Sequence, residues 1–130
     1  MRIDFDSIKP LYLQIAEAIE DDIVTGRLEE GNPAYSQLVL SQELGVNPAT
    51  AAKGINALVQ KGILEKKRGQ SMVVADGAKE QLISSKQQYG LQSLIRELVA
   101  ESQKVKLSES EVIKMLQDGF AAWGGGRKHE

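Results

Sequence analysis

The apolar positions of the chain fall into a helical rhythm almost from its start. Leu11, Ile15, Ile19 and Ile23 recur every four residues, with Ala16 and Ala18 beside them and Glu17, Glu20, Asp21 and Asp22 assigned to the outer face. That spacing predicts an amphipathic helix opening at Pro10, whose fixed φ suits a first helical residue, and stopping at Gly26. Upstream, Ile3 and Phe5 alternate with Asp4 and Asp6, enough for a short strand or an ordered arm. Downstream, Glu30-Gly31-Asn32-Pro33 is a turn-rich loop. A second helix is expected after Ser36, a good N-cap, with Leu38, Leu40 and Leu44 as its apolar positions. Gly45 supplies a left-handed stop and Val46 fills the corner. Asn47-Pro48 then restarts the chain as N-cap and first helical residue.

The third helix, from about Pro48 to Lys61, turns Ala51, Ile55, Leu58 and Val59 inward. Small residues at 49, 51, 52 and 54 make its leading end slim. A slim end suits close approach to a groove, and alanine is equally a plain helix former. Ile63 to Lys67 and Met72 to Ala75 read as two short strands around the turn Arg68-Gly69-Gln70-Ser71. Helix, tight turn, helix and basic hairpin together predict a winged helix-turn-helix over Ser36 to Val74.

Beyond Asp76, expected to cap the next helix, the chain is helix-prone to Lys104, with Leu82, Leu91, Leu94, Ile95, Leu98 and Val99 apolar and Gly90 able to kink it. Ser108 and Glu111 match a capping box opening a last helix, with Val112, Met115, Leu116, Phe120 and Trp123 on one side. Two amphipathic helices cannot bury both apolar faces within their own length. Pairing with a second copy through Leu91, Leu94, Ile95, Leu98, Val112, Leu116, Phe120 and Trp123 is therefore expected; packing back on the first domain is the alternative. The expected organisation is a DNA-binding domain over 1–78, a helical dimerisation region over 79–123 and a flexible tail over 124–130. The fold class is mostly α with a small β wing.

Composition narrows the chemistry. With 42% hydrophobic and 26% charged residues in 130, the chain is ordinary for a globular protein. It has no cysteine, which excludes disulfides and thiolate metal sites. No apolar run reaches signal-peptide or transmembrane length, so a cytoplasmic protein without a membrane partner is expected. The net charge of −2 is uninformative, but its distribution is not. Residues 1–35 set Arg2, Lys9 and Arg27 against eight acidic side chains, whereas residues 36–74 set Lys53, Lys61, Lys66, Lys67 and Arg68 against Glu43 and Glu65. A basic segment in an acidic chain fits a local nucleic-acid face. No acid/base pair, nucleophile with a histidine partner, phosphate loop or metal-ligand cluster is present in the sequence, so neither an enzyme nor a cofactor is expected. His129, the single histidine, reads as solvated.

Pro10-Leu11-Tyr12-Leu13-Gln14-Ile15-Ala16, Gly26-Arg27-Leu28, Leu44-Gly45-Val46, Asn47-Pro48-Ala49-Thr50, Gly62-Ile63-Leu64 and Arg68-Gly69 resemble the DNA-binding domain of GntR-type bacterial transcription regulators. The Asn-Pro-x-Thr start of the third helix and the short helical tail are similar to the YtrA branch. This resemblance implies a homodimeric repressor, often of transporter operons, binding a two-fold symmetric DNA operator. Leu38 stands where the family usually has a DNA-contacting arginine, and Gly69-Gln70-Ser71-Met72 departs from the usual wing motif, which suggests fewer charged contacts. On this reading Ser36, Thr50 and Gln70 hydrogen-bond DNA, Lys53, Lys66, Lys67 and Arg68 neutralise phosphates, and Ala49 and Gly69 belong to the closely approaching backbone. Asn47 is divided between capping and DNA, and Tyr35 between a phosphate contact and packing. A small-molecule effector has little room within one subunit and would sit at the dimer interface, near Phe120 and Trp123. The competing function is a winged-helix module that binds proteins instead of DNA.

Overall fold

The computed structural model describes residues 1–69 and 72–124, so Gln70, Ser71 and residues 125–130, including His129, lie outside the described residues. Two compact units divide the chain between Lys86 and Gln87.

The first unit opens with an ordered arm and no strand. Gln14 receives the Asp4 N–H at 2.8 Å and donates to the Asp4 and Lys9 carbonyls, which holds the arm on the first helix without a sheet partner. Helix α1 (Leu11–Val24) starts one residue later than expected, with Pro10 at the N-cap, and buries Ile15, Ile19 and Ile23. Its acidic residues do not all face out. Glu20 and Asp22 are buried, and each is held by a hydrogen-bonding or charged partner. Glu20 meets Lys61 at 3.0 Å, and Asp22 accepts the Tyr35 hydroxyl at 2.6 Å and faces Arg27 at 3.5 Å. Burial of a carboxylate is tolerated only with such partners.

Helix α2 (Gln37–Leu44) is capped by Ser36, whose hydroxyl accepts the Val39 N–H, and is stopped by Gly45 at φ 68°. Leu40 is buried, but Leu38 points outward and is 61% exposed, one turn position off the core stripe. Helix α3 (Pro48–Gln60) is capped by Asn47, whose Oδ1 accepts the Ala49 N–H at 2.7 Å. Ala51 and Gly54 are small for an interior reason. Both are buried, and a Cβ on Gly54 would lie 2.9 Å from the Tyr12 carbonyl oxygen and 3.0 Å from Ile15 Cγ2. The missing side chain is what lets α3 cross α1 so closely.

Strands β1 (Leu64–Lys66) and β2 (Met72–Val74) pair antiparallel, with Leu64 opposite Val74 and Lys66 opposite Met72. The turn-rich loop adds an irregular third edge: Gly31 and Ala34 donate to Val74 and Met72, and Val74 donates to Asn32. Helix α4 (Ala78–Ser85) buries Ala78 and Leu82 in the same core, so this unit reaches Lys86. Asp76 is not its cap. The Glu30 carboxylate takes that role from the loop, accepting the N–H groups of Gly77 and Lys79, each at 3.0 Å.

After α4 the backbone passes through a π-helical stretch over Lys86–Gly90 into α5 (Leu91–Lys104). Expected as a kink at Gly90, the irregularity occupies five residues ending there. In the second unit, α5 and α6 (Glu109–Ala122) are joined by a short turn that places Lys106 at φ 62°. The Ser108–Glu111 capping box is formed in both directions. An apolar cleft of about 440 Å³ runs between these helices, lined by Ile95, Leu98, Val99, Val112 and Leu116 among others.

Candidate nucleic-acid interface

The exposed side of α3 carries Ala49, Lys53 and Asn56 at helical spacing, with Thr50 and Ala52 half-buried beside them. The α2 entrance and the hairpin close on this helix. A cavity of about 200 Å³ is lined by Tyr35, Ser36 and Gln37 from the α2 entrance, by Ala52, Ile55 and Asn56 from α3, and by Lys66 and Met72 from the hairpin. Three sequence-predicted residues, Tyr35, Ser36 and Lys66, thus meet around one concavity, while Asn47, Ala49, Thr50 and Lys53 lie along α3 outside its lining.

The cations divide into two groups. Lys61 is committed to the buried Glu20, which makes it part of the scaffold. Lys67 lies 3.8 Å from Glu65, a loose and exposed pair. Among the described residues Lys53, Lys66 and Arg68 have no carboxylate partner, and all three are exposed. The Lys53 ammonium sits 4.1 Å from the centroid of the Tyr12 ring, a cation–π contact. Gly69, at φ 72°, turns the hairpin next to Arg68.

Tyr35 has given its one O–H to Asp22. That bond, together with burial, pushes its pKa up to about 12, so the phenol is neutral and its proton is directed inward. Of the two readings of this residue, the geometry accounts for packing. Ser36 and Asn47 both use side-chain oxygens as helix caps. Gln70 lies outside the described residues. Three residues of this surface, Asn56, Gln37 and Tyr12, carry no role in the sequence reading. Asn56 had a signal, since it stands three residues after Lys53 on the same helical face. The other two had none, because their placement depends on how α1, α2 and the hairpin pack.

Residues 11–74, which contain α1 through β2, match the model of the gntR family of bacterial regulatory proteins. The chain carries a gntR-family regulatory domain. The mannosyl-D-glycerate transport/metabolism system repressor MngR of Escherichia coli is 35% identical over 68 residues, 52% of this chain and 28% of MngR. The chain thus spans about a quarter of that relative. A GntR-family transcriptional regulator from Listeria monocytogenes superposes with a TM-score of 0.72 at 26% identity, covering 88% of this chain and 98% of the other. The DNA-binding domain of AraR, solved in complex with operator ORX1, superposes at 0.53 with 28% identity, covering 58% of this chain and 96% of that domain. All are regulatory proteins.

The second unit presents a different surface. Leu91, Leu94, Ile95, Leu98, Leu116, Phe120 and Trp123 are all exposed, and Val112 is half-buried. Phe120 and Trp123 edge a further open concavity with Leu116 and Gly119. Among the described residues no group of acidic and histidine side chains could hold a metal, and no helix is long and apolar enough to cross a membrane.

Proposed function

We propose that the protein is a sequence-specific DNA-binding transcription regulator, a cytoplasmic homodimeric repressor of the YtrA-like branch that acts on a transporter-type operon. One observation carries the DNA-binding part: the α2 entrance, the outer side of α3 and the Lys66 hairpin converge on one face, where Lys53, Lys66 and Arg68 have no carboxylate partner among the described residues. In this reading α3 enters the major groove. Ser36, Thr50 and Gln70 hydrogen-bond the DNA, Lys53, Lys66, Lys67 and Arg68 neutralise phosphates, and Ala49 and Gly69 belong to the closely approaching backbone. The similar AraR domain, solved in complex with operator ORX1, supports operator binding by this fold. MngR, a repressor of a transport/metabolism system, supports the sign and type of regulation.

The dimer rests on the apolar faces of α5 and α6, where seven large hydrophobic side chains of the proposed seam stand exposed in a single copy. An unpaired surface of that kind marks an interaction site. A second copy paired there would present two recognition helices to two operator half-sites about one helical turn, or a multiple of it, apart. Any small effector would then bind at this interface near Phe120 and Trp123. In this reading residues 1–78 read DNA and the dimer contact lies within 79–123, on α5 and α6, while α4 packs in the first unit's core. Selection of bound fragments from a random duplex pool tests the reading. Recovery of two-fold symmetric sites at helical-turn spacing is expected, and failure to enrich any sequence overturns specific recognition.

The protein-interaction alternative draws on the exposed Leu38 and Val39, an apolar pair on the outside of α2. Absence of salt-dependent binding to duplex DNA at low ionic strength would favour it.

A further inference from the structure

We infer that Tyr12, on the first helix, is a positioning residue of the DNA interface: its ring holds the Lys53 ammonium at a fixed place on the outer side of α3. The inference rests on the proposed reading of Lys53 as a phosphate contact and adds a residue which that reading leaves unused.

Two observations carry it. The Lys53 Nζ lies 4.1 Å from the Tyr12 ring centroid, well within cation–π range. The arrangement is also built into the core next door. Gly54, the residue after Lys53, is buried against the Tyr12 carbonyl and Ile15, and only its missing Cβ permits α1 to lie this close to α3. The half-buried ring is therefore anchored by its own backbone beneath an exposed lysine. A lysine on a free four-carbon stem loses rotamer freedom when it docks on a phosphate. Held over a ring, it has lost part of that freedom beforehand and keeps its full charge, because the ring is no counter-ion. Pre-ordering of this kind raises affinity by lowering what binding must immobilise.

The test uses the full chain and a duplex recovered by selection, with Kd measured across a salt series for wild type, K53M, Y12F, Y12L and Y12L/K53M. K53M is expected to weaken binding and to flatten the salt slope by about one. Y12L is expected to raise Kd about two- to fivefold, the range of an exposed cation–π contact. Y12F, which keeps the ring, should bind as wild type, and the double variant should bind no more weakly than K53M. Equal loss in Y12F and Y12L would assign the effect to the hydroxyl and overturn the inference. So would tighter binding by Y12L, which would mean that the ring withholds the lysine from DNA, and so would additive losses in the double variant. Unchanged binding by K53M removes Lys53 itself from the interface, a failure of the underlying reading. Loss in K53M with none in Y12L fails the positioning role alone. Should Y12L not fold, the Lys53 Hε resonances of the wild-type protein decide. An upfield ring-current shift supports the contact, and ordinary random-coil positions overturn it.

Discussion

Asp22 and Tyr35 show how a surface assignment changes once partners are visible. Tyr35→Phe removes the hydroxyl that donates to the buried Asp22 carboxylate, leaving it, among the described residues, the longer Arg27 contact. Denaturant titration should show a loss of about 1–3 kcal/mol. DNA affinity of the folded fraction should hold, since the lost proton faced inward. The same bond has a pH signature. The native pKa stands at about 12 against an ordinary 10, so this stabilisation is complete below pH 10 and is lost as pH climbs toward 12. Glu30 behaves in the opposite sense. The Gly77 and Lys79 N–H groups hold its carboxyl below the ordinary value of 4.5. Its contribution is thus present above pH 4.5 and lost as pH falls through the lower native value. Melting curves should show the gap between wild type and Glu30→Ala closing over that interval. At Gly54 a side chain meets backbone at 2.9 Å, which cannot give way as a side-chain tip would. Gly54→Val should cost about 1–3 kcal/mol by overpacking, with little helix-propensity gain to offset it.

The helices begin where their caps say they should, and the caps are local. Asn47 accepts the Ala49 N–H, so Asn47→Ala should destabilise the first unit by about 1 kcal/mol in a thermal melt. Ser36, Gly45 and the Ser108–Glu111 box likewise follow from spacing alone. Elements whose ends depend on distant residues were not legible in this way. Helix α4 begins on a carboxylate 47 residues upstream, which no sequence window around Asp76 contains. The loop over 29–34 reads as turn chemistry, yet its backbone extends the wing by pairing with β2. Leu38 counts as apolar in any periodicity, but α2 is short and its rotation is set by Leu40 and Ser41, which are buried and leave Leu38 outside.

For the whole molecule, the two units make different demands. The first has a closed core of its own, while the second leaves its apolar seam exposed. Leu98→Glu should therefore leave the first unit folded while turning the proposed dimer into monomer in analytical ultracentrifugation. Operator affinity should fall with it, because one recognition helix would bind where two did. An unchanged sedimentation coefficient with a wild-type dimer would place the subunit contact elsewhere.

The winged helix-turn-helix, its order of elements and the basic character of the wing were determined by the sequence, because hydrophobic period, caps and turn glycines act within a few residues of one another. The tertiary structure alone decided which charges are spent inside. Glu20 takes Lys61 out of the basic segment, and Asp22 takes the Tyr35 hydroxyl. Gly54 lets α1 reach α3, so that Tyr12 comes to lie under Lys53. Those pairings join residues far apart in the chain, and their energies depend on burial and distance, quantities that exist only once the helices have packed.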